Sequence, residues 1–359
     1  MGEAARRTLM DWLRRGTLAP PRTDAEGAGL VDEAETQGLA GQLAAVALGD
    51  EAAWPAASVA RLRRRQRELL ARGVFQQRLG RTLLEALEGE GVPALPLKGL
   101  ALTARLEVYG AESERPMSDL DLLVLGDFER AAGRVGRMGL GLEERADHAW
   151  RFREPDSRAA VELHHAVVSC PALHPLDREG LWARRQPGGS LPHVPAVEDL
   201  LVQLALHAAF QHSLRLTLVQ WLDFRRLLER GRLDLDGVRR AAATSRAEGS
   251  LWAALSAAEA AVGALLPPSL LEWAGARTPR AARRWVKRRL GRPLDLAAPR
   301  VVSPLAARWS LSAGRRGLLL RETLAPSGPG VSRSRLGRAA HALRRAAGLA
   351  RRWTARAHQ

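Results

Sequence analysis

Lysine is almost missing from this chain of 359 residues: of 55 basic side chains only Lys98 and Lys287 are lysine, and the rest are arginine. Tyrosine occurs once and methionine four times. That bias is what a GC-rich coding sequence writes, so arginine is the default cation and each lysine needs a reason. The single Cys170 excludes an intramolecular disulfide framework and any multi-cysteine zinc or iron–sulfur site, and it fits a reducing, cytoplasmic compartment. There is no run of about 18 apolar residues, and the opening MGEAARRTLMDWLRR lacks the apolar stretch and small-residue cleavage site of an export signal. The expectation is a chain that neither spans a membrane nor is secreted.

What is present in excess is positive charge, +16 overall, but it is concentrated. From Ala276 to Gln359 only Asp295 and Glu322 are acidic, whereas residues 1–275 carry slightly more acid than base. The body is therefore close to neutral and the basic character belongs to residues 276–359. That segment predicts a basic helix at RTPRAARRWVKRRLGRP, Pro- and Gly-rich connections, and a second basic helical stretch over 335–353. It is suited to nucleic-acid phosphates, or to an anionic membrane with Trp285, Leu349 and Trp353 as apolar anchors; a solvated, partly flexible tail is the alternative. No base-specific DNA-binding motif is present.

Length favours more than one structural unit, and the patterning divides the chain into an N-terminal helical region (1–90), an α/β core (91–195), a helical domain (196–275) and the basic extension (276–359). Residues up to about 54 predict short helices with loops at 19–29 and 49–55. Apolar residues at helical spacing from Leu62 to Leu87 predict one long amphipathic helix closed by Gly91. VPALPL, Lys98-Gly99 and LALTARLEV then read as strand, tight turn and helix. DLDLLVL alternates before becoming wholly apolar, as a strand entering a buried sheet does. A helix at FERAAGRVGRM and strands at GLGLEER, AWRFRE and AAVELHH complete the core.

In DLDLLV a strand points Asp119 and Asp121 to the same face, with Cα atoms roughly 6.6 Å apart. Two carboxylates aimed at one spot repel unless a cation lies between them, and Mg²⁺, which takes one or two protein carboxylates and leaves positions for water and phosphates, is the economical choice. Glu162, which interrupts an apolar strand pattern 41 residues after Asp121, is the candidate third ligand. Alternation puts His164 on the face of Glu162 and His165 on the other. Upstream, Lys98 and Gly99 stand at a strand-to-helix junction, where a compact ammonium and exposed backbone N–H groups suit a triphosphate. Arg115, four residues before Asp119, offers a second cation to pyrophosphate.

These residues resemble the DNA polymerase β-like nucleotidyltransferase superfamily. The closer likeness is to the bacterial group of uncharacterised nucleotidyltransferases, whose pattern is a Lys-Gly turn, an Arg before Asp-hydrophobic-Asp, and an acidic-hydrophobic-His strand. Here these are Lys98-Gly99, Arg115 with Asp119-Leu120-Asp121, and Glu162-Leu163-His164. The resemblance spans about residues 30–230. It implies an α+β fold, a small mixed sheet with flanking helices followed by a helical domain and the basic extension. It also implies two Mg²⁺ ions, with Mn²⁺ as the alternative, held by Asp119, Asp121 and Glu162. Lys98, Gly99, Arg115, Ser118 and His164 would contact the nucleotide. Better-known members carry Gly-Ser where this chain has Lys-Gly. His207, His212, Arg215, Trp221 and Asp223 match polar positions of the family's second half and would line the cleft opposite the metals, with helix packing and a local Asp223–Arg226 ion pair as the alternative. A spacing of five is wrong for a zinc pair on one α-helical face, so no zinc is expected from His207 and His212.

The implied reaction moves a nucleoside monophosphate from an NTP to an acceptor hydroxyl or phosphate, releasing pyrophosphate. The acceptor is undetermined; a small molecule, a protein or a modified peptide fits. Two other readings stay open. A DxD glycosyltransferase would need neither the Lys-Gly turn nor the later acidic strand, and a non-catalytic protein would use the basic arm to bind nucleic acid or membrane.

Overall fold

The computed structural model describes residues 2–324 apart from 106, 158 and 299–303, together with 329. The second basic stretch expected over 335–353, with Leu349 and Trp353, lies outside the described residues. Before the sheet come helices α1 (Gly2–Arg15), α2 (Asp24–Thr36), α3 (Ala40–Gly49) and α4 (Ala56–Gly89). The loop expected at 19–29 is shorter than patterning suggested, because the Thr23 side chain caps α2 by accepting the Glu26 N–H at 3.2 Å. The long helix α4 buries Leu62, Leu69, Gly73, Gln76, Gly80, Leu83 and Leu87, a stripe at three-, four- and seven-residue spacing.

Five strands follow among the described residues: β1 (Ala94–Pro96), β2 (Asp119–Val124), β3 (Gly141–Arg145), β4 (Ala149–Arg153) and β5 (Ala160–His164). Their order in the sheet is β1-β2-β5-β4-β3; β2 and β5 are parallel and the other pairings antiparallel. The edge strand β3 is exposed throughout, and its charged residues and a register shift between Leu142 and Glu144 discourage further pairing. Interspersed helices are α5 (Lys98–Thr103), α6 (Phe128–Arg137) and α7 (Arg178–Ala183).

Alternation gives the sheet two different faces. Leu120, Leu122, Val124, Val161, Leu163, Trp150 and Phe152 form one, packed on Leu83, Leu84 and Leu87 of α4 and on Phe128, Ala131 and Val135 of α6. At about 25 cal/mol per Å² of apolar surface, burying side chains of this size is worth about 1.5–3 kcal/mol each. His165 lies on that side, edge-on to Phe128 with ring centroids 5.3 Å apart. The opposite face carries Asp119, Asp121, Glu162 and His164, and looks toward the helical part of the molecule.

That part comprises α8 (Val197–Leu206), α9 (Leu218–Arg230), α10 (Leu235–Thr244), α11 (Glu248–Val262), α12 (Pro268–Arg277), α13 (Arg280–Leu290), α14 (Pro293–Leu296), α15 (Leu305–Leu311) and α16 (Arg316–Leu324). Trp221, Phe224, Leu251 and Leu255 share its core with Trp285 and Val286 of α13 and Leu296 of α14. Trp285 is 4% exposed, so it is a packing residue and presents no anchor to a membrane. The architecture is mixed α+β, a small mixed sheet with flanking helices joined to a large helical assembly.

Candidate active site

The parallel register of β2 and β5 sets Asp121 beside Glu162 and Leu123 beside His164. Because residues two apart on a strand share a face, Asp119, Asp121, Glu162 and His164 project together from the polar face. Donor atoms of Asp121, Glu162 and His164 lie within 4.8 Å of one another, the arrangement that can hold a metal ion. His164 Nε2 is 2.8 Å from Asp121 Oδ1 and 3.5 Å from Glu162 Oε2, while its Nδ1 is buried without a partner. Arg151, opposite Glu162 on β4, donates to Glu162 Oε1 at 3.2 Å. Asp119 stands one pleat nearer solvent, half-buried, and accepts from the Ser118 hydroxyl at 2.9 Å. Two carboxylates and an imidazole, with a third carboxylate adjacent, form a donor set that suits a hard or borderline divalent cation.

Lys98 faces this cluster from the turn after β1. Its ammonium donates to Asp121 Oδ1 at 2.7 Å, and one of its three donors is thereby committed. The Lys98 backbone has φ +48, in the left-handed region that costs a residue with a Cβ but suits glycine. Lysine thus occupies a backbone conformation that glycine would take without cost. Next to it, Gly99 makes room for its neighbour: a Cβ there would lie 2.8 Å from Met117 Cγ. The Lys98 side chain places a cation at this turn.

The electrostatics follow from burial and sign. Asp121 is buried, which favours its neutral form, but Lys98 and the hydrogen bond from His164 outweigh that and hold the carboxyl well below its ordinary value. Asp119 is pushed up, by burial and then by the Asp121 charge, with Lys98 opposing. Glu162 is lowered, chiefly by its hydrogen bond to His164. For Lys98 and His164 burial acts against the charged form, and the neighbouring carboxylates reverse the balance, so both are raised. Asp119 is the member of the set least compensated by a positive group.

A cleft of about 360 Å³ opens over Lys98, Asp119 and Asp121; Glu162 and His164 lie outside its lining. Lys98, Gly99, Ser118, Asp119 and Asp121 form one side, and Leu204, His207, Leu216, Val219 and Phe224 form the other. Arg115 and Asp223 also line it. The Arg115 guanidinium is spent on Asp223, with Nε and Nη2 reaching Oδ1 and Oδ2 at 2.7 and 2.8 Å, and on the Pro116 carbonyl at 2.7 Å. Tyr109 donates to the same Asp223 Oδ1 at 2.6 Å. Arg115 keeps its charge, since Asp223 more than offsets the burial. The pair ties the loop before β2 to α9. The local Asp223–Arg226 ion pair does not form: Arg226 instead pairs with Glu114 at 2.6 Å.

Arg72, on α4, lines the cleft near Asp119, and no sequence signal marked it out. It is exposed, makes only a 3.5 Å contact with the Ser118 carbonyl, and has no carboxylate partner among the described residues. Close packing brings it there: a Cβ on the adjacent Gly73 would sit 2.5 Å from Glu112 Cβ, and Gln76 donates to the Met117 carbonyl at 3.2 Å. His207 and His212 are five apart, a spacing that a regular α-helix would not bring onto one face. The chain forms a π-turn over His207–Gln211, in which residues five apart come together, and the two rings lie 4.2 Å apart. Of the pair, only His207 is among the cleft-lining residues. Trp221 is buried and donates to the Leu296 carbonyl at 2.9 Å, and Arg215 faces Asp295 at 3.8 Å.

The sequence model of a family described as uncharacterised nucleotidyltransferase matches residues 24–263, about two thirds of the chain. That stretch contains the sheet, the cleft and every residue of the cluster. No curated protein matches the chain.

Proposed function

The chain belongs to the uncharacterised nucleotidyltransferase family, and on that premise we propose that it transfers a nucleoside monophosphate from an NTP to an acceptor hydroxyl or phosphate, with release of pyrophosphate. The observation that carries this reading is the β2–β5 register that sets Asp121 beside Glu162, with His164 bonded to one and near the other and Lys98 facing them. Asp121, Glu162 and His164, with Asp119 beside them, would hold divalent metal, Mg²⁺ first and Mn²⁺ as the alternative. Two ions are proposed, with Asp119 serving the second. Such ions, when bound, neutralise phosphate charge and lower the pKa of an attacking hydroxyl.

The chain's own side chains supply positioning, which dominates phosphoryl-transfer catalysis. Asp121 stays ionised because Lys98 and His164 hold it so, and Arg151 orients Glu162. Lys98 has two donors left for phosphate oxygens. Arg72, not Arg115, is the cation available to the triphosphate or to departing pyrophosphate, because Arg115 is neutralised by Asp223. Gly99, on the cleft wall, lets Met117 pack against the turn, Ser118 steadies Asp119, and Leu216, Val219 and Phe224 offer an apolar wall to the base.

The test is transfer of α-labelled NTP into candidate acceptors with Mg²⁺ or Mn²⁺. Wild-type protein should label an acceptor and release pyrophosphate, and Glu162→Gln and Lys98→Met should each abolish labelling. Transfer of sugar from a nucleotide sugar, indifferent to Glu162→Gln, would instead establish the glycosyltransferase reading.

A further inference from the structure

Many arginines elsewhere on this molecule pair with acids, although some, Arg72 among them, do not. Arg61 reaches Asp32 and Glu35 at 2.6 and 2.8 Å, Glu90 gathers Arg130, Arg134 and Arg137 at 3.5, 3.8 and 2.9 Å, and Arg225 meets Glu229 at 2.7 Å. Helix α13 breaks this habit. Its sequence RAARRWVKRRL places Arg280, Arg283, Arg284, Lys287, Arg288 and Arg289 on eleven residues, and none of the six has an ion-pair partner among the described residues. Between Ala276 and Leu324 the only carboxylates are Asp295, turned to Arg215 at 3.8 Å, and Glu322, which is buried. Codon bias explains why a cation is written as arginine; it does not explain why the acids are gone. Six like charges on about 16 Å of helix repel one another, so the sequence carries a cost that a polyanion would relieve.

From this we infer that the outer face of α13 is a docking surface for the phosphodiester backbone of a double-stranded nucleic acid. The apolar residues of the helix decide against a membrane. Ala282, Trp285 and Val286 are turned into the core and Leu290 packs against it, so the cationic face of α13 carries no large apolar side chain to enter a bilayer, which binding by an amphipathic helix requires. They also decide against a single strand, whose sequence-tolerant binding relies on aromatic rings open to base stacking; the one aromatic of α13 is buried. What α13 presents is a rigid row of cations that matches rows of phosphate and reads no base. The inference is independent of the transferase reading, since no residue of the cleft takes part.

The experiment is fluorescence anisotropy of the full chain with a labelled duplex of about 20 base pairs, DNA in one arm and RNA in the other, between about 50 and 200 mM salt. A single strand of the same length and vesicles containing phosphatidylserine serve as comparisons. The exposed Arg284 and Arg288 are changed together to Gln, and thermal melting checks that the fold is kept. Wild-type protein should bind at least one duplex more tightly than the single strand, with an affinity that falls steeply with salt. The double Gln variant should bind roughly tenfold or more weakly, with the log–log salt slope smaller by about 2, one phosphate per lost cation. Unchanged affinity and slope in the folded variant would overturn the inference. So would absence of duplex binding at low salt, preference for the single strand, or binding to vesicles in place of duplex.

Discussion

Asp223 is the residue whose loss the structure makes most quantitative. Its carboxylate accepts both nitrogens of a buried Arg115 fork and the Tyr109 hydroxyl, and Arg115 and Asp223 side chains are 7% and 1% exposed. Removing one partner of a buried pair leaves an uncompensated charge, at a cost of about 3–5 kcal/mol. Asp223→Ala should therefore lose about that much, a large share of the roughly 5–15 kcal/mol that holds a typical domain together. Tyr109→Phe removes only a hydrogen bond to a charged group and should cost about 1.5–3 kcal/mol. The double replacement Arg115→Met with Asp223→Leu removes both charges and should recover most of the Asp223→Ala loss, because the buried pair itself contributes little net stability. Urea unfolding followed by far-UV circular dichroism measures all three, and Tyr109→Phe keeps the test readable if Asp223→Ala does not fold. An Asp223→Ala variant within about 1 kcal/mol of wild type would refute the reasoning, since a charge-neutralising role could not then be what holds Arg115 on the cleft wall.

Three shorter expectations accompany it. His174 is buried, bonded through Nδ1 to the Ser245 carbonyl at 3.2 Å, and burial takes its pKa down to about 3. The unfolded chain therefore binds a proton there that the fold refuses. The stability from this group is complete above about pH 6.5 and is lost as the pH falls, by up to about 1.4 kcal/mol per unit. His174→Asn, which keeps a donor for Ser245, should flatten the acid limb of a stability–pH profile, and an unchanged limb would contradict this. Lys98→Arg keeps the charge but replaces a compact ammonium with a planar fork, and should cut NTP turnover about tenfold or more; wild-type turnover would reduce Lys98 to any cation. Arg72→Ala should raise the KM for NTP and weaken pyrophosphate inhibition without changing the melting temperature, whereas unaltered kinetics would remove Arg72 from the phosphate site.

The sheet and its acids were legible because they depend on short-range rules. Alternation in DLDLLV and AVELH decides which side chains share a face, and the β2–β5 register only has to bring two such faces together. Likewise, the stripe of α4 declares a long helix. What stayed hidden depends on distance along the chain. Nothing near Arg115 announces Asp223, 108 residues later, so its guanidinium read as free. Nothing in the sequence singles out Arg72 among the arginines; packing at Gly73 places it on the cleft wall. The π-turn hid His207 and His212 from any argument based on α-helical spacing. The charge run at 280–289 was visible, but not that its tryptophan points inward.

The proposed reaction requires the acids of β2 and β5 to bind metal together with an NTP. Titration calorimetry with a non-hydrolysable NTP analogue, with and without Mg²⁺ or Mn²⁺, measures this without knowledge of the acceptor. Saturable binding that needs the divalent ion is expected, lost in Asp121→Asn and in Glu162→Gln, with the melting temperatures of both free variants within a few degrees of wild type. Nucleotide binding of equal strength without the ion, or undiminished in a folded Asp121→Asn variant, would contradict it.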